Sequence, residues 1–471
     1  MLLLPRESPS SGSSRPTPLP RSNARALYSA LIQEGGRAPG QIDELAHAAS
    51  RAFLLGRLHA ARQLESRIPG DLHALPAWLE AEHRTAAAAY RDYLKQRREG
   101  GKRRFFCNRS HALHFLRAVA PTKLVDGAWL YGVLDHADDA RLAPLVRIYL
   151  EELGDGNPAQ NHVLLYRRLL ARLGIDGWQQ LGDEHFTQGA IQLALAHHAN
   201  EFLPEIIGFN LGYEQLPLHL PITAFELAEL GIDAYYFTVH VSVDNASTGH
   251  ARKSLECLLD CMPRLGDASA FYRRVIDGFK LNDLGMGSTA AIGSFALEPE
   301  LLSVLGAKAA VGAQLHADRC RIGGKPVSEW LGEAGQLPAF LEALQSSGWI
   351  QRGQAAEESR FWRLLTDDRA PMFGVFNGYE RQLLRDWIED GHGAPVARAS
   401  APAGAGSGAP PSGTSADLHG EVALLQHRLA QAHGRAETRA VLKGFMSPAN
   451  HSTPAGLAAT RAFAGRFASA A

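Results

Sequence analysis

The chain has 471 residues, 45% hydrophobic and 21% charged, with a formal net charge of −1. That length and hydrophobicity suffice for one large buried core and a second, smaller one. The near-zero charge excludes strong electrostatic steering toward nucleic acid or a membrane surface. No run of about 18 apolar residues offers a transmembrane helix.

The opening MLLLPRESPSSGSSRPTPLPRS (residues 1–22) has an apolar run too short for a signal peptide and reads as a disordered lead. Apolar residues at three- and four-residue spacing then predict helices over 24–34, 41–65, 74–99 and 109–120. Pro121 starts a new segment, continued by LVDGAWLYGVLDHA. Further helices are expected near 140–152, 160–173, 188–203, 205–216, 219–230, 232–245 and 250–262, with strand signals rare. The pattern predicts an all-α chain, with a helical bundle over residues 23–320 that can project ligands inward from facing helices. Residues 265–320 continue it, with GMGST (Gly285–Thr289) read as a flexible turn because no phosphate-loop pattern is present.

Residues 321–394 read as a small α(+β) accessory region, a short helix pair followed by strand-like pieces in FWRLLTDDRAPMFGVF. Its segment PAFLEALQSSGW has no basic residue, which argues against a DNA-reading helix. A packing, dimerising or lid-forming role is expected instead. Residues 395–416, rich in Ala, Pro, Gly and Ser, are expected to be a flexible linker. Residues 417–471 form a helical tail expected to dock on the bundle or on a partner chain. Its His451, in a loop, is within reach of a site but reads by default as solvated.

The chemistry concentrates in YYFTVHVSVDNASTGHA (235–251), where His240, Asp244 and His250 fall within eleven residues of an apolar frame. His240 and Asp244, four apart, share one helix face. His250 lies on another face of a straight helix, and the poor helix formers 245–249 would have to unwind or bulge to return it. Burying such groups unpaired costs several kcal/mol, roughly. Two imidazoles and a carboxylate suit non-heme iron.

Two more segments add candidates. In IYLEELGDGNPAQNHVLLY (148–166), Gly and Pro interrupt the helix between Glu152 and His162, so a helix–loop–helix would bring the two together. In IIGFNLGYEQLPLHLP (206–221), Glu214 is a lone carboxylate among apolar residues. Each also has a plain reading, as a surface turn or as a carboxylate pointing to solvent. Tyr213, Phe209, Tyr235, Tyr236 and Phe237 are candidate pocket walls.

The order ELGDG…NH, then GFNLGYE, then YF.xH…DN…GH resembles the iron-containing redox enzymes with a heme-oxygenase-like fold, the heme-oxygenase-like diiron oxidases, over roughly residues 100–265. The resemblance implies a heme-oxygenase-like up-and-down bundle. It also implies two ferrous ions per chain, with iron–manganese loading equally compatible, held by Glu152, His162, Glu214, His240, Asp244 and His250. Dioxygen would be the co-substrate, and an electron donor and a small organic molecule the partners. N-oxygenation, oxidative C–C cleavage or decarboxylation of an amine, amino acid or fatty acid all fit, as does a homodimer. One departure is that many members place the last His three residues after the Asp, whereas here the gap is six.

Other readings compete. Glu44/His47 and Glu80/His83 match the Glu-x-x-His spacing of ferritin-like carboxylate bundles but lack the further Glu residues such sites need. A heme-binding protein on the same fold would leave the carboxylates without purpose. A non-catalytic binding or scaffold protein would use the bundle and tail alone. The four cysteines, Cys107, Cys257, Cys261 and Cys320, form no disulfide framework in a chain this long and read as reduced thiols, which places the protein in the cytoplasm.

Overall fold

The computed structural model describes residues 23–32, 39–243, 249–312, 320–390 and 415–467. Helices carry nearly all of it. The amino-terminal helices are α1 (Ala24–Ile32), α2 (Glu44–Arg62) and α3 (Leu75–Arg98). Then come α4 (Arg109–Ala118), the single turn α5 (Ala120–Lys123), α6 (Ala143–Glu152) and α7 (His162–Leu173). They are followed by α8 (Asp183–His197), α9 (Ala199–Tyr213), α10 (His219–Glu229), α11 (Tyr235–Val243), α12 (His250–Cys261) and α13 (Ala268–Lys280). No single described helix is long and apolar enough to cross a membrane.

Most boundaries follow from local chemistry. Asp43 caps α2 by accepting from the backbone amides of Leu45 and Ala46, and Gly174 ends α7 in the left-handed conformation. The expected helix through LVDGAWLYGVLDHA is instead a 3-10 run, Ala128–His136, entered through Gly127 at φ 79°. The GMGST turn contains a tight contact: a Cβ on Gly285 would lie 2.6 Å from the Thr187 Cβ.

Two apolar clusters organise the chain. The first joins α1, α2, α6, α8, α9, α12 and α13 with the carboxy-terminal residues Leu442, Phe445, Met446, Phe463 and Phe467. The second joins α4, α7, α10 and α11 with residues between Ala291 and Ile388. The strand pieces of the accessory region are not where the sequence pattern suggests. Arg321–Ile322 pairs antiparallel with Lys325–Pro326, ahead of the helices. Residues Arg360–Thr366 are helical, because Phe361, Trp362 and Leu365 bury one helical face. The flexible-linker assignment lies mostly outside the described residues. The tail residues Ser415–Phe467 form three helices, of which the last two are Gly434–Phe445 and Pro454–Phe467.

Candidate metal centre

Helix α6 ends at Glu152, and the chain reverses through Gly154, Asp155 and Gly156, all at positive φ. Only glycine fits at 154, where a Cβ would lie 2.4 Å from the Gln160 carbonyl carbon. Asn161 then caps α7 by accepting from the Leu164 amide, and His162 is the first helical residue. The reversal sets Glu152 Oε2 2.6 Å from His162 Nδ1. Glu152 leaves an α6 packed in the first apolar cluster, whereas His162 opens an α7 packed in the second. The site therefore lies on the seam between them.

Helix α11 adds His240, whose ring centroid is 4.3 Å from that of His162. Helix α9 ends at Tyr213, so Glu214 is its cap residue, and α12 begins at His250. His250 Nδ1 lies 3.1 Å from Glu214 Oε2 and 3.5 Å from Glu152 Oε1. Helix α11 is described as far as Val243 and α12 from His250, so the unwinding expected over 245–249 lies almost wholly outside the described residues. Asp244 lies outside the described residues.

Sequence reasoning missed Asp126. It sits between α5 and the 3-10 run, with its Oδ2 3.1 Å from His240 Nε2. Two groups result, in each of which the ligand atoms lie within 4.8 Å of one another: Asp126, Glu152, His162 and His240, and Glu152, Glu214 and His250. Glu152 belongs to both, with one oxygen turned toward each. All these side chains are buried. The only trace of Asp126 in the sequence is a carboxylate after Leu124 and Val125 and before a glycine. That glycine is required: Gly127 comes so close that a Cβ there would lie 2.8 Å from the Glu152 Cβ.

The surroundings set the protonation of the imidazoles. His240 Nδ1 lies 2.8 Å from the Tyr236 carbonyl oxygen, which can only accept, so Nδ1 carries a hydrogen and Nε2 is the nitrogen turned toward Asp126 and the space a metal would fill. His250 is oriented from behind by Glu151, 2.9 Å from its Nε2, which leaves Nδ1 facing Glu214 and Glu152. A ligand imidazole whose other nitrogen donates to a carbonyl or carboxylate is the usual support of a metal site. Glu151 was also missed, because it differs from an ordinary helix-surface acid only in what α12 brings to it.

Burial alone would raise the Asp126 carboxyl, but the Lys123 ammonium and the His240 and His162 imidazoles outweigh it and hold it far below the usual carboxylate range. Asp126 also accepts from Tyr213 at 2.9 Å and from Tyr236 at 2.5 Å. Burial and the Asp126 charge raise both phenols well above their ordinary value, so they stay donors. Burial opposes charge on His162 and His250, yet Glu152 raises the first, and Glu214 and Glu151 raise the second well above an ordinary imidazole.

This donor set fits metal ions. Carboxylate oxygens and imidazole nitrogens converge in a buried space, a set that suits iron or manganese. Glu152 Oε1 and Glu214 Oε1 are buried with no hydrogen-bond partner, an expensive state for carboxylates unless a cation or proton satisfies them. A cavity of about 630 Å³ opens beside the site, lined by Lys123, Tyr213, Glu214 and His240 among others. Of the other expected pocket walls, Phe209 and Phe237 are core, Tyr235 is exposed, and Tyr236 is committed to Asp126. The Glu-x-x-His pairs converge on no such cluster among the described residues. Glu44 and His47 are exposed at the start of α2, and Glu80 and His83 line the cavity. Cys257 and Cys261 are free thiols with sulfurs 3.9 Å apart.

A helical fold that turns buried carboxylates and imidazoles onto one shared glutamate defines a protein able to hold metal between its helices. Residues 113–275 match the family model described as iron-containing redox enzyme, a haem-oxygenase-like family, and the cluster lies inside that span. The all-α architecture agrees with that fold. No curated protein and no solved structure matches the chain.

Proposed function

We propose that the protein is a non-heme diiron oxidoreductase that uses dioxygen to oxidise a small organic substrate held in the cavity beside Glu214 and His240. The observation that carries this reading is Glu152, whose two carboxylate oxygens face two separate sets of donors. One iron would be held by Asp126, Glu152, His162 and His240. The other would be held by Glu152, Glu214 and His250, with Asp244 an expected further ligand. Iron bound there supplies the redox chemistry by which dioxygen attacks an otherwise inert C–H, N–H or C–C bond.

The remaining roles belong to the chain itself. The three described carboxylates, Asp126, Glu152 and Glu214, offset most of the charge of two divalent cations, and Asp244 would offset the rest. Glu151 and the Tyr236 carbonyl hold His250 and His240 in the tautomers that bind. Tyr213 and Tyr236 donate to Asp126 and fix its orientation, while Lys123 donates to the Tyr213 hydroxyl at 2.9 Å and keeps a positive charge at the cavity wall. Burial of the ligand side chains limits their contact with water to the cavity that Glu214 and His240 line. N-oxygenation, oxidative C–C cleavage and decarboxylation are all compatible with this arrangement, because selectivity lies in the cavity and not in the ligands. A monooxygenation would also draw two electrons from an external donor.

The test is metal content after Glu152→Gln. Loss of both metals supports a shared carboxylate. Retention of the wild-type content removes Glu152 from the centre and with it this reading.

A further inference from the structure

The carboxy-terminal segment lies outside the matched family span, yet it is built into the loop that joins Glu152 to His162. Tyr149 donates to the Met446 carbonyl at 2.6 Å, and Arg167 donates to the Ser452 hydroxyl at 2.9 Å. Arg461 donates to the Gly156 carbonyl at 2.5 Å. Helix Pro454–Phe467 approaches Gly156 so closely that a Cβ there would lie 2.4 Å from the Leu457 oxygen.

At the centre of this contact is His451, only 2% exposed. Its Nδ1 lies 3.1 Å from Asn161 Nδ2, which also faces the Leu153 carbonyl at 3.3 Å. The Asn161 oxygen accepts from Leu164, so the amide orientation is determined and His451 Nδ1 is the acceptor. Burial, helped by Arg167 and His162, pushes the His451 pKa down to about 3, so the ring is neutral and able to accept. Asn161 is fully buried. One amide thus ties the residue after Glu152 to the cap of the helix that His162 begins, and His451 holds that amide from the far end of the sequence.

We propose that the carboxy-terminal segment is a working part of the candidate metal centre, and that His451 is a positioning residue that aims His162 at its metal through Asn161. The proposal rests on the diiron reading above. It separates the two metals. His162 serves only the group with Asp126 and His240, so loosening His451 should weaken one metal and spare the one at Glu214 and His250.

The experiment is a Co(II) titration of the full-length chain, followed by calorimetry and by the visible absorption of the bound ion. Wild type should take up two Co(II) in distinguishable steps. His451→Leu, which fills the space without an acceptor, should weaken one step about tenfold or more, within the 10–100-fold range of supporting residues, and alter its absorption bands. The weakened step should be the one that His162→Ala removes. His451→Asn, whose Oδ1 stands at the same bond distance as Nδ1, should restore both affinity and spectrum. If the Leu variant does not melt cooperatively, His451→Gln, with its acceptor one methylene further out, gives the same comparison. Wild-type steps and spectrum in the Leu or Gln variant would overturn the positioning role alone. Absence of Co(II) uptake by wild type would instead overturn the metal reading, and this proposal with it.

Discussion

Gly127→Ala is a sharp test of how tightly the site is built. The residue has φ 79°, in the left-handed region, where a side chain costs about 1–2 kcal/mol. An added Cβ would also stand 2.8 Å from Glu152 Cβ and 3.0 Å from its Cγ, closer than side-chain carbons tolerate. Relieving such overpacking costs roughly 1–3 kcal/mol more. The overlap falls on the residue shared by both donor groups, so the expected loss of about 2–5 kcal/mol comes with displacement of Glu152. Gly100→Ala is the control. Gly100 has φ 87° and nothing within 4 Å of its missing Cβ, so only the backbone cost applies. Thermal melts of the metal-free proteins give the stability difference, and metal titrations give stoichiometry and affinity. Gly127→Ala should melt below Gly100→Ala and bind metal weakly at both steps. Wild-type metal binding in Gly127→Ala would refute the claim that this close approach positions Glu152.

Further outcomes follow from the same geometry. Glu214→Gln should lose one metal and keep the other, because Glu214 contributes to one group only, whereas Asp126→Asn should weaken the opposite step; metal analysis of the two variants checks the partition. Glu151→Gln should lower affinity at the His250 step by about 10–100-fold without removing a ligand, as read by calorimetry. The pH dependence has a defined sign. His162 and His250 have raised pKa values in the metal-free fold, so the stability they contribute is complete below the unfolded value of about 6.5 and is lost as pH rises through the raised ones. Metal needs the same nitrogens deprotonated, so binding should release protons and tighten with rising pH. Calorimetry in buffers of different ionisation enthalpy would show this, and absence of proton release would contradict it.

Helix positions from α4 to α12 were legible in the sequence to within a few residues, because their apolar stripes face packed neighbours, except that α8 and α9 both begin well before the expected 188 and 205. The Glu152–His162 pair was legible because Gly and Pro mark the reversal between them. His240 and His250 stood out as polar residues in an apolar frame. Asp126 was not legible, since nothing near it in sequence shows that α11 will pack there. Glu151 was hidden beside Glu152 for the same reason. His451 reads as an ordinary loop histidine until the tail folds back over Asn161, a contact across 290 positions. The strand expectation for FWRLLTDDRAPMFGVF failed because its aromatic residues suit both strand and helix. Burial of Phe361, Trp362 and Leu365 in the second cluster favoured the helix.

The diiron proposal requires that this helical site hold two irons and react with dioxygen. The most direct measurement is anaerobic Fe(II) reconstitution of the full chain, with iron counted, followed by stopped-flow absorption on mixing with oxygen. About two irons per chain and a transient visible band, both lost in Glu152→Gln, are predicted. No iron uptake, or uptake indifferent to changes at Glu152 and His240, would contradict it and return the weight to a binding or scaffold role.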